Sequence, residues 1–286
     1  MSLNLVPQPE NCPAAALPRT VPVIGVRTAG LVAALPSLPE RLAWARENGF
    51  EGVEIAATGR PRDLYAPSVS REERARLRGE VAGFAAVAVQ APHQETYDVS
   101  LVSPSASIRR ASVTEIWSCL RFAEALGGGT VVVRTGNAPA GVDADRQQAF
   151  VAECLTTLDR MAGDHNARIA VALADYFGPA GGGEVRDGRL DLLLRHLALP
   201  HTGIALDATS FADAPATNVS ALARRAGAKL AHVRAGDPAP ELADALRTIG
   251  YTGLLGLIAE PDAPFPMRSL SEAKLAWEGL LARAAV

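Results

Sequence analysis

Residues 107–136 read SIRRASVTEIWSCLRFAEALGGGTVVVRTG. Ile116, Leu120, Ala123 and Leu126 recur at three- and four-residue steps, which places them on one face of a helix. Gly127–Gly129 end that helix, because glycine takes the left-handed conformation that a helix terminus needs. Val131, Val132 and Val133 follow with no polar alternation, the pattern of a strand buried on both faces. The strand runs into Arg134, a charge that does not belong in a core. The stretch is thus one complete helix–strand unit with a cation at its carboxyl end.

The same unit recurs on both sides. Upstream, strands are expected at Val21–Arg27, Glu51–Ala56 and Ala85–Pro92. Helices are expected at Leu38–Asn48, with Leu42 and Ala45 inward and Gly49 at its end, and at Ser70–Phe84. Ser70 and Glu73 have capping-box spacing at the start of the second helix. Downstream, strands fall at Ala167–Ala174, Thr202–Asp207, Lys229–Arg234 and Leu254–Glu260. The helices between and after them fall at Asp143–Ala162, Leu190–Leu197, Ser220–Ala226, Glu241–Ile249 and Ser271–Ala284. Strands that alternate with helices predict an α/β fold, here a single-domain (β/α)8 TIM barrel, for which about 250 residues is typical. An open doubly wound sheet is the rival. It is disfavoured because no GxGxxG or GxxxxGKS motif follows an early strand. Residues 1–20, rich in proline, read as an N-terminal arm, and 21–286 as the barrel.

The bulk numbers agree with one core: 286 residues, 48% of them hydrophobic. The net charge of −3 gives no reason to expect nucleic acid or an anionic membrane as partner. No apolar run is long enough to span a bilayer. The N-terminus lacks a positive start followed by an apolar run, so a cytoplasmic protein is expected. Cys12, Cys119 and Cys154 are odd in number and scattered, which suggests reduced thiols. The sequence leaves the oligomeric state open, a homo-oligomer included.

Barrels of this kind carry their sites at the carboxyl ends of the strands. The polar residues expected there are Arg27, Glu54, Gln90, His93, Arg134, Tyr176, Asp207, Arg234 and Glu260, with Asp175 if the backbone turns there. His232 falls two residues before Arg234, deeper in the barrel, and reads as a satisfied core histidine. His165, His196 and His201 fall at the opposite end or on helices. Gly181–Gly183 matches no phosphate-binding motif and reads as a lid or linker. No nucleophile elbow, HExxH or CxxC occurs.

The segments ERLAWARENGFEGVEI, VAVQAPH, LRFAEALGGGTVVVRTG, IAVALADYF, GIALDATSF, KLAHVRAGD and GYTGLLGLIAEP resemble, in order, the strands of the sugar phosphate isomerase/epimerase family. That family lies in the xylose-isomerase-like TIM-barrel superfamily, which also holds the endonuclease IV fold. The resemblance covers about residues 21–284. It implies a divalent metal, such as Mn or Mg, held by Glu, Asp, His and Glu, one each from strands five to eight. At the corresponding positions this chain has Ala174, Asp207, Arg234 and Ile258. The family's frequent histidines on strands three and four match Gln90 and Arg134. Arginine is a permanent cation with no lone pair to give, and a lone carboxylate does not hold Mn or Mg. The sequence therefore predicts no metal ligands and no cofactor.

What remains is a pocket for a small anionic or sugar-like molecule. Arg27, Arg134 and Arg234 would supply the positive charge, because guanidinium binds carboxylate or phosphate through paired hydrogen bonds. Gln90, Tyr176 and Glu260 would line the pocket. His93, Asp207 and Glu54 are the candidate acid–base groups for proton transfer in an isomerase, epimerase or lyase. The arginines would stabilise enolate-like charge. A bland reading coexists with this one: Arg134 and Arg234 pair with Glu54 and Asp207 as structural ion pairs. Two rival functions stay open. One is a non-catalytic barrel that serves as a ligand-binding or partner subunit. The other is a metal enzyme with new ligands such as Asp207, Glu260 and Asp175.

Overall fold

The computed structural model describes residues 20–92, 99–136, 142–172, 198–211, 216–259 and 266–282. Eight strands run β1 Val23–Arg27, β2 Gly52–Ala56, β3 Ala86–Gln90, β4 Gly129–Val133, β5 Ala167–Ala172, β6 Thr202–Asp207, β7 Leu230–Ala235 and β8 Leu254–Leu257. They form a closed barrel in chain order, with β8 pairing back onto β1 and each pairing parallel. The described helices are α1 Leu38–Glu47, α2 Arg71–Val81, α3 Ala106–Ala125, α4 Ala144–Asp164, α5 Ala216–Ala226, α6 Pro240–Thr248 and α7 Pro266–Ala282. The fold is a (β/α)8 TIM barrel, as the repeated helix–strand unit predicts. The helix expected over Leu190–Leu197 and the arm of residues 1–19 lie outside the described residues.

The opening stretch shows why the chain folds this way. Ile116, Cys119, Leu120, Phe122 and Ala123 are the buried stripe of α3. Gly127, Gly128 and Gly129 all take positive φ, a conformation open to glycine and strained for other residues. Val131 and Val133 face the helix layer, in the large core cluster with Ile116 and Leu120. Val132 faces the barrel interior with Ala170, Ala205 and Ala231. The missing alternation therefore reports two apolar surroundings, one on each face of the strand.

Other boundaries follow local chemistry. Ser37 and Glu40 cap α1 reciprocally, with Pro39 in the first turn. Ser70 accepts from the Glu73 backbone N–H at 3.1 Å and caps α2. The closing helix starts at Pro266, five residues before the expected Ser271, because proline is pre-set for a first helical position. The last strand stops at Leu257, short of the expected Glu260.

Two features set the barrel interior. At the amino-terminal end, Leu254 lies over Gly25 and Gly52; a Cβ on either glycine would sit 2.6 or 2.5 Å from its Cδ1. At the other end, β6 and β7 shift register: Ile204 pairs with Leu230, but Ala205 pairs with His232. Ala231 is the extra residue. A one-residue shift turns every following side chain to the other face, so His232 and Arg234 point inward and Arg234 stands beside Asp207. Nearby, the buried Arg41 donates to the carbonyls of Thr28, Pro36, Ser37 and Arg62. It ties together the segments that follow β1 and β2.

Candidate active site

Alternation along parallel strands sends every second side chain into the barrel. Arg27 ends β1, Glu54 lies on β2, Gln90 ends β3, Asp207 ends β6, and His232 and Arg234 lie on β7. In register, Arg27 sits beside Glu54, Ala56 beside Gln90, and Asp207 beside Arg234. The β8 residue between β7 and β1 at this level is Gly256, paired with Arg234. A Cβ there would stand 3.7 Å from both Glu54 Oε2 and His232 Nε2, so the interior above β8 is filled by side chains from its neighbours.

Glu54 is the centre. It has no exposed surface. Arg234 grips it with two hydrogen bonds, Nε to Oε2 at 2.8 Å and Nη2 to Oε1 at 2.7 Å. His232 Nε2 reaches Oε2 at 2.7 Å, and Arg27 Nε lies 3.2 Å from Oε1. Burial alone would raise the Glu54 pKa, but Arg234, His232 and Arg27 together hold it well below the usual carboxylate range. Burial likewise pulls Arg234 down, yet Glu54 and Asp207 outweigh it and its pKa rises. Arg27 is lowered, first by burial, against the pull of Glu54. An ionised Glu54 can only accept, so His232 Nε2 carries the hydrogen and the tautomer is fixed. His232 Nδ1 is buried and has no partner among the described residues. The histidine read from sequence as a satisfied core residue is therefore satisfied on one side only, and that side belongs to the site.

The rim is built on this centre. Arg27 Nε and Nη2 donate to Gln90 Oε1 at 3.1 and 2.6 Å. Arg234 Nη1 lies 3.6 Å from Asp207 Oδ2. Asp207 Oδ1 accepts from the Thr209 backbone N–H at 3.1 Å and from its hydroxyl at 2.6 Å. Arg134, half-buried, follows β4 two residues beyond the inward Val132. Thus Arg27, Glu54, Gln90, Asp207 and Arg234 come together, and the two arginines on Glu54 are Arg27 and Arg234. His93, Tyr176 and Glu260 lie outside the described residues, as do Ala174 and Asp175. Sequence reasoning missed Thr209, although a hydroxyl two residues after an aspartate is a recurrent turn signal.

The metal implied by the resemblance can be tested against these donors. Of its implied positions in the described residues, Asp207 offers an oxygen, Ile258 offers nothing, and Arg234 puts a guanidinium 3.6 Å from that carboxylate. Glu54, the other carboxylate, is already held by three cationic or donor groups. The described residues do not fit a divalent ion at this place. Among them no group of three or more His, Cys, Asp or Glu is arranged to hold one.

A parallel barrel with its polar cluster at the strand carboxyl ends defines an α/β-barrel protein with a candidate site in the usual place for the fold. Residues 42–277 match the family model described as xylose isomerase-like TIM barrel, and the chain belongs to that family. Solved structures agree on the fold. A D-tagatose 3-epimerase-like protein superposes with a TM-score of 0.69 at 18% identity, over 92% of this chain and 99% of the other. The 3-keto-D-glucoside 4-epimerase of E. coli gives 0.71 at 16%, over 90% and 99%. An L-ribulose 3-epimerase gives 0.71 at 17%, over 91% and 95%. No curated protein matches the chain by sequence. No described helix is long and apolar enough to cross a membrane.

Proposed function

We propose that this chain is a sugar isomerase- or epimerase-like enzyme that moves a proton on a small anionic or sugar-like metabolite without a divalent metal. The observation behind this reading is the pair of guanidinium groups fixed on Glu54 where the fold puts its chemistry. Removal of a proton next to a carbonyl creates an enolate-like oxyanion. Donors that are already oriented stabilise that charge without reorganising during the step. Arg234 is oriented by two bonds to Glu54, and Arg27 by Glu54 and Gln90.

Within this reading Glu54 is the counter-ion that aims the arginines. A carboxylate so strongly favoured in its charged form is too weak a base for the step. Asp207, partly exposed and oriented by Thr209, is the proton-moving group on the described side of the mouth. His93, in the segment after β3, is the proposed second one. The solved barrels of similar shape include proteins named as sugar 3- and 4-epimerases, which supports the choice of substrate class.

The test is solvent exchange. Chelator-treated protein is incubated in D2O with panels of ketoses, sugar phosphates and sugar acids, and deuterium uptake is followed by NMR. Uptake at a carbon next to a carbonyl, lost in Asp207→Asn or His93→Ala, is the expected result. Uptake that returns only when Mn or Mg is added would overturn the metal-free part. A second reading, a barrel that binds ligand without turning it over, is favoured by the caged state of Glu54. Saturable binding with no exchange in any panel would establish it.

A further inference from the structure

We propose that the mouth of the barrel is a carboxylate clamp for a sugar acid, with Arg27 and Gln90 holding the carboxylate and Asp207 receiving a hydroxyl of the same molecule. This rests on the reading above that the cavity takes a small anionic or sugar-like ligand, and it names which anion.

The two arginines differ in how much of their hydrogen-bonding capacity is already used. Arg234 is the more committed of the two: Nε and Nη2 bind Glu54, and Nη1 faces Asp207. Its side chain is 5% exposed. Arg27 is less committed. It makes one 3.2 Å contact with Glu54, and its other bonds go to a neutral amide oxygen. Its side chain is 22% exposed. Nη1 makes no hydrogen bond to a described residue. Gln90 spends its oxygen twice on Arg27, which fixes the amide and leaves its NH2 group as donor. Neither Arg27 Nη1 nor Gln90 Nε2 hydrogen-bonds a described residue, and the part-exposed Arg27 side chain is the accessible member of the pair, with Gln90 buried behind it. A guanidinium edge and an amide N–H held together by their own hydrogen bonds suit a planar anion with two oxygens.

Charge selects among anions. In the described cluster Arg27 and Arg234 are balanced by Glu54 and Asp207. The free edge of Arg27 matches the two oxygens of a carboxylate. A phosphate dianion would bring one more negative charge than a carboxylate to a cluster already balanced, and it would face the Asp207 carboxylate. That carboxylate is an acceptor with Oδ1 already occupied by Thr209, so it suits a hydroxyl donor. Carboxylate at one end and hydroxyl at the other is the chemistry of a polyhydroxylated acid.

The test is binding to the full chain after chelator treatment, by isothermal titration with D-gluconate, D-glucuronate, D-fructose, D-fructose 6-phosphate and inorganic phosphate. At least one of the two acids is expected to bind saturably, about tenfold tighter than the neutral sugar and both phosphate probes. Arg27→Lys keeps the charge and loses the fork; it is expected to weaken the acid about tenfold. Gln90→Ala, a second variant that keeps Arg234 and His232 on Glu54, is expected to weaken it by a similar factor, with the fold checked by circular dichroism. Phosphate binding as tight as the acid, unchanged affinity in both variants, or no saturable binding of any probe would each overturn the clamp. These failures are separable from failure of the enzymatic reading. Acid binding without deuterium exchange keeps the clamp and removes the activity. Exchange confined to a phosphorylated sugar keeps the activity and removes the clamp.

Discussion

Two sectors of the barrel interior stand opposite each other. On the β4–β6 side the inward residues Val132, Ala170 and Ala205, joined by Ala231 of β7, make a small apolar cluster. On the β1–β2 and β7 side the inward residues are Arg27, Glu54, His232 and Arg234, tied into one network. Both are buried, except for the part-exposed Arg27, but they are held differently. The apolar sector is a sum of many weak contacts, each changed by volume. The charged sector is a set of groups that are tolerable only together, since each ion would be costly without its partners. The first can absorb a change by repacking, and the second cannot.

The largest expected effect breaks the second sector at its centre. Glu54→Ala leaves two guanidinium groups without their common anion. Loss of one partner of a buried pair costs about 3–5 kcal/mol. Urea unfolding of the variant should show that loss, with a midpoint well below the parent. A change under about 1 kcal/mol would mean that the arginines swing out to solvent and that the network is only surface-like.

The apolar sector should respond less steeply. Ala170 is fully buried beside Val132 and Ala205. Ala170→Leu forces extra volume into a filled interior, which costs about 1–3 kcal/mol. If urea unfolding shows it to be as damaging as Glu54→Ala, the contrast drawn between the sectors fails.

Why one sector was readable and the other only half so is a matter of what a sequence pattern carries. Val131–Val133 announces burial on both faces, and the three glycines before it mark the turn, because both signals are local. Arg27, Glu54, Asp207 and Arg234 could be placed at the mouth from their positions toward the strand carboxyl ends. Their pairing could not. It depends on the extra residue Ala231 between β6 and β7, which turns His232 and Arg234 inward. It depends also on Gly256, which leaves the space that the β7 and β2 side chains fill. Neither an unpaired residue nor an open space has a signature of its own in the chain. His232 lies in the core as its position before Arg234 predicts, but its partner Glu54 could not be read from the chain, because it lies on β2, 178 residues away. The ligand positions implied by the resemblance are a different kind of information. Arg234 and Ile258 announce their unsuitability by chemistry alone, before any geometry is known.

Acid should separate the sectors as well. Glu54 has a folded pKa below its unfolded value of about 4.3. It therefore contributes stability that is complete above that value and lost as pH falls toward the folded pKa. One such group tilts stability by at most about 1.4 kcal/mol per pH unit. Urea unfolding between pH 5 and pH 3 should show this tilt in the parent and in Ala170→Leu. It should be reduced by one proton's worth in Glu54→Gln. Equal slopes in all three would locate the acid sensitivity elsewhere.

The smallest expected change in stability falls on the edge of the charged sector, and it is the one that tests function most directly. Asp207 is 15% exposed and sits 3.6 Å from Arg234, so solvent already screens part of that pair. In Asp207→Asn the amide oxygen can still accept from Thr209 at Oδ1, while Arg234 keeps both bonds to Glu54. The loss in urea unfolding should stay below about 1 kcal/mol. Asparagine cannot take up a proton, however, so solvent exchange should vanish in a protein that remains folded and retains its arginines. A variant that unfolds like Glu54→Ala would make Asp207 a member of the buried network. One that keeps full exchange would leave the mouth without its proposed base and move the proton transfer to the segment after β3.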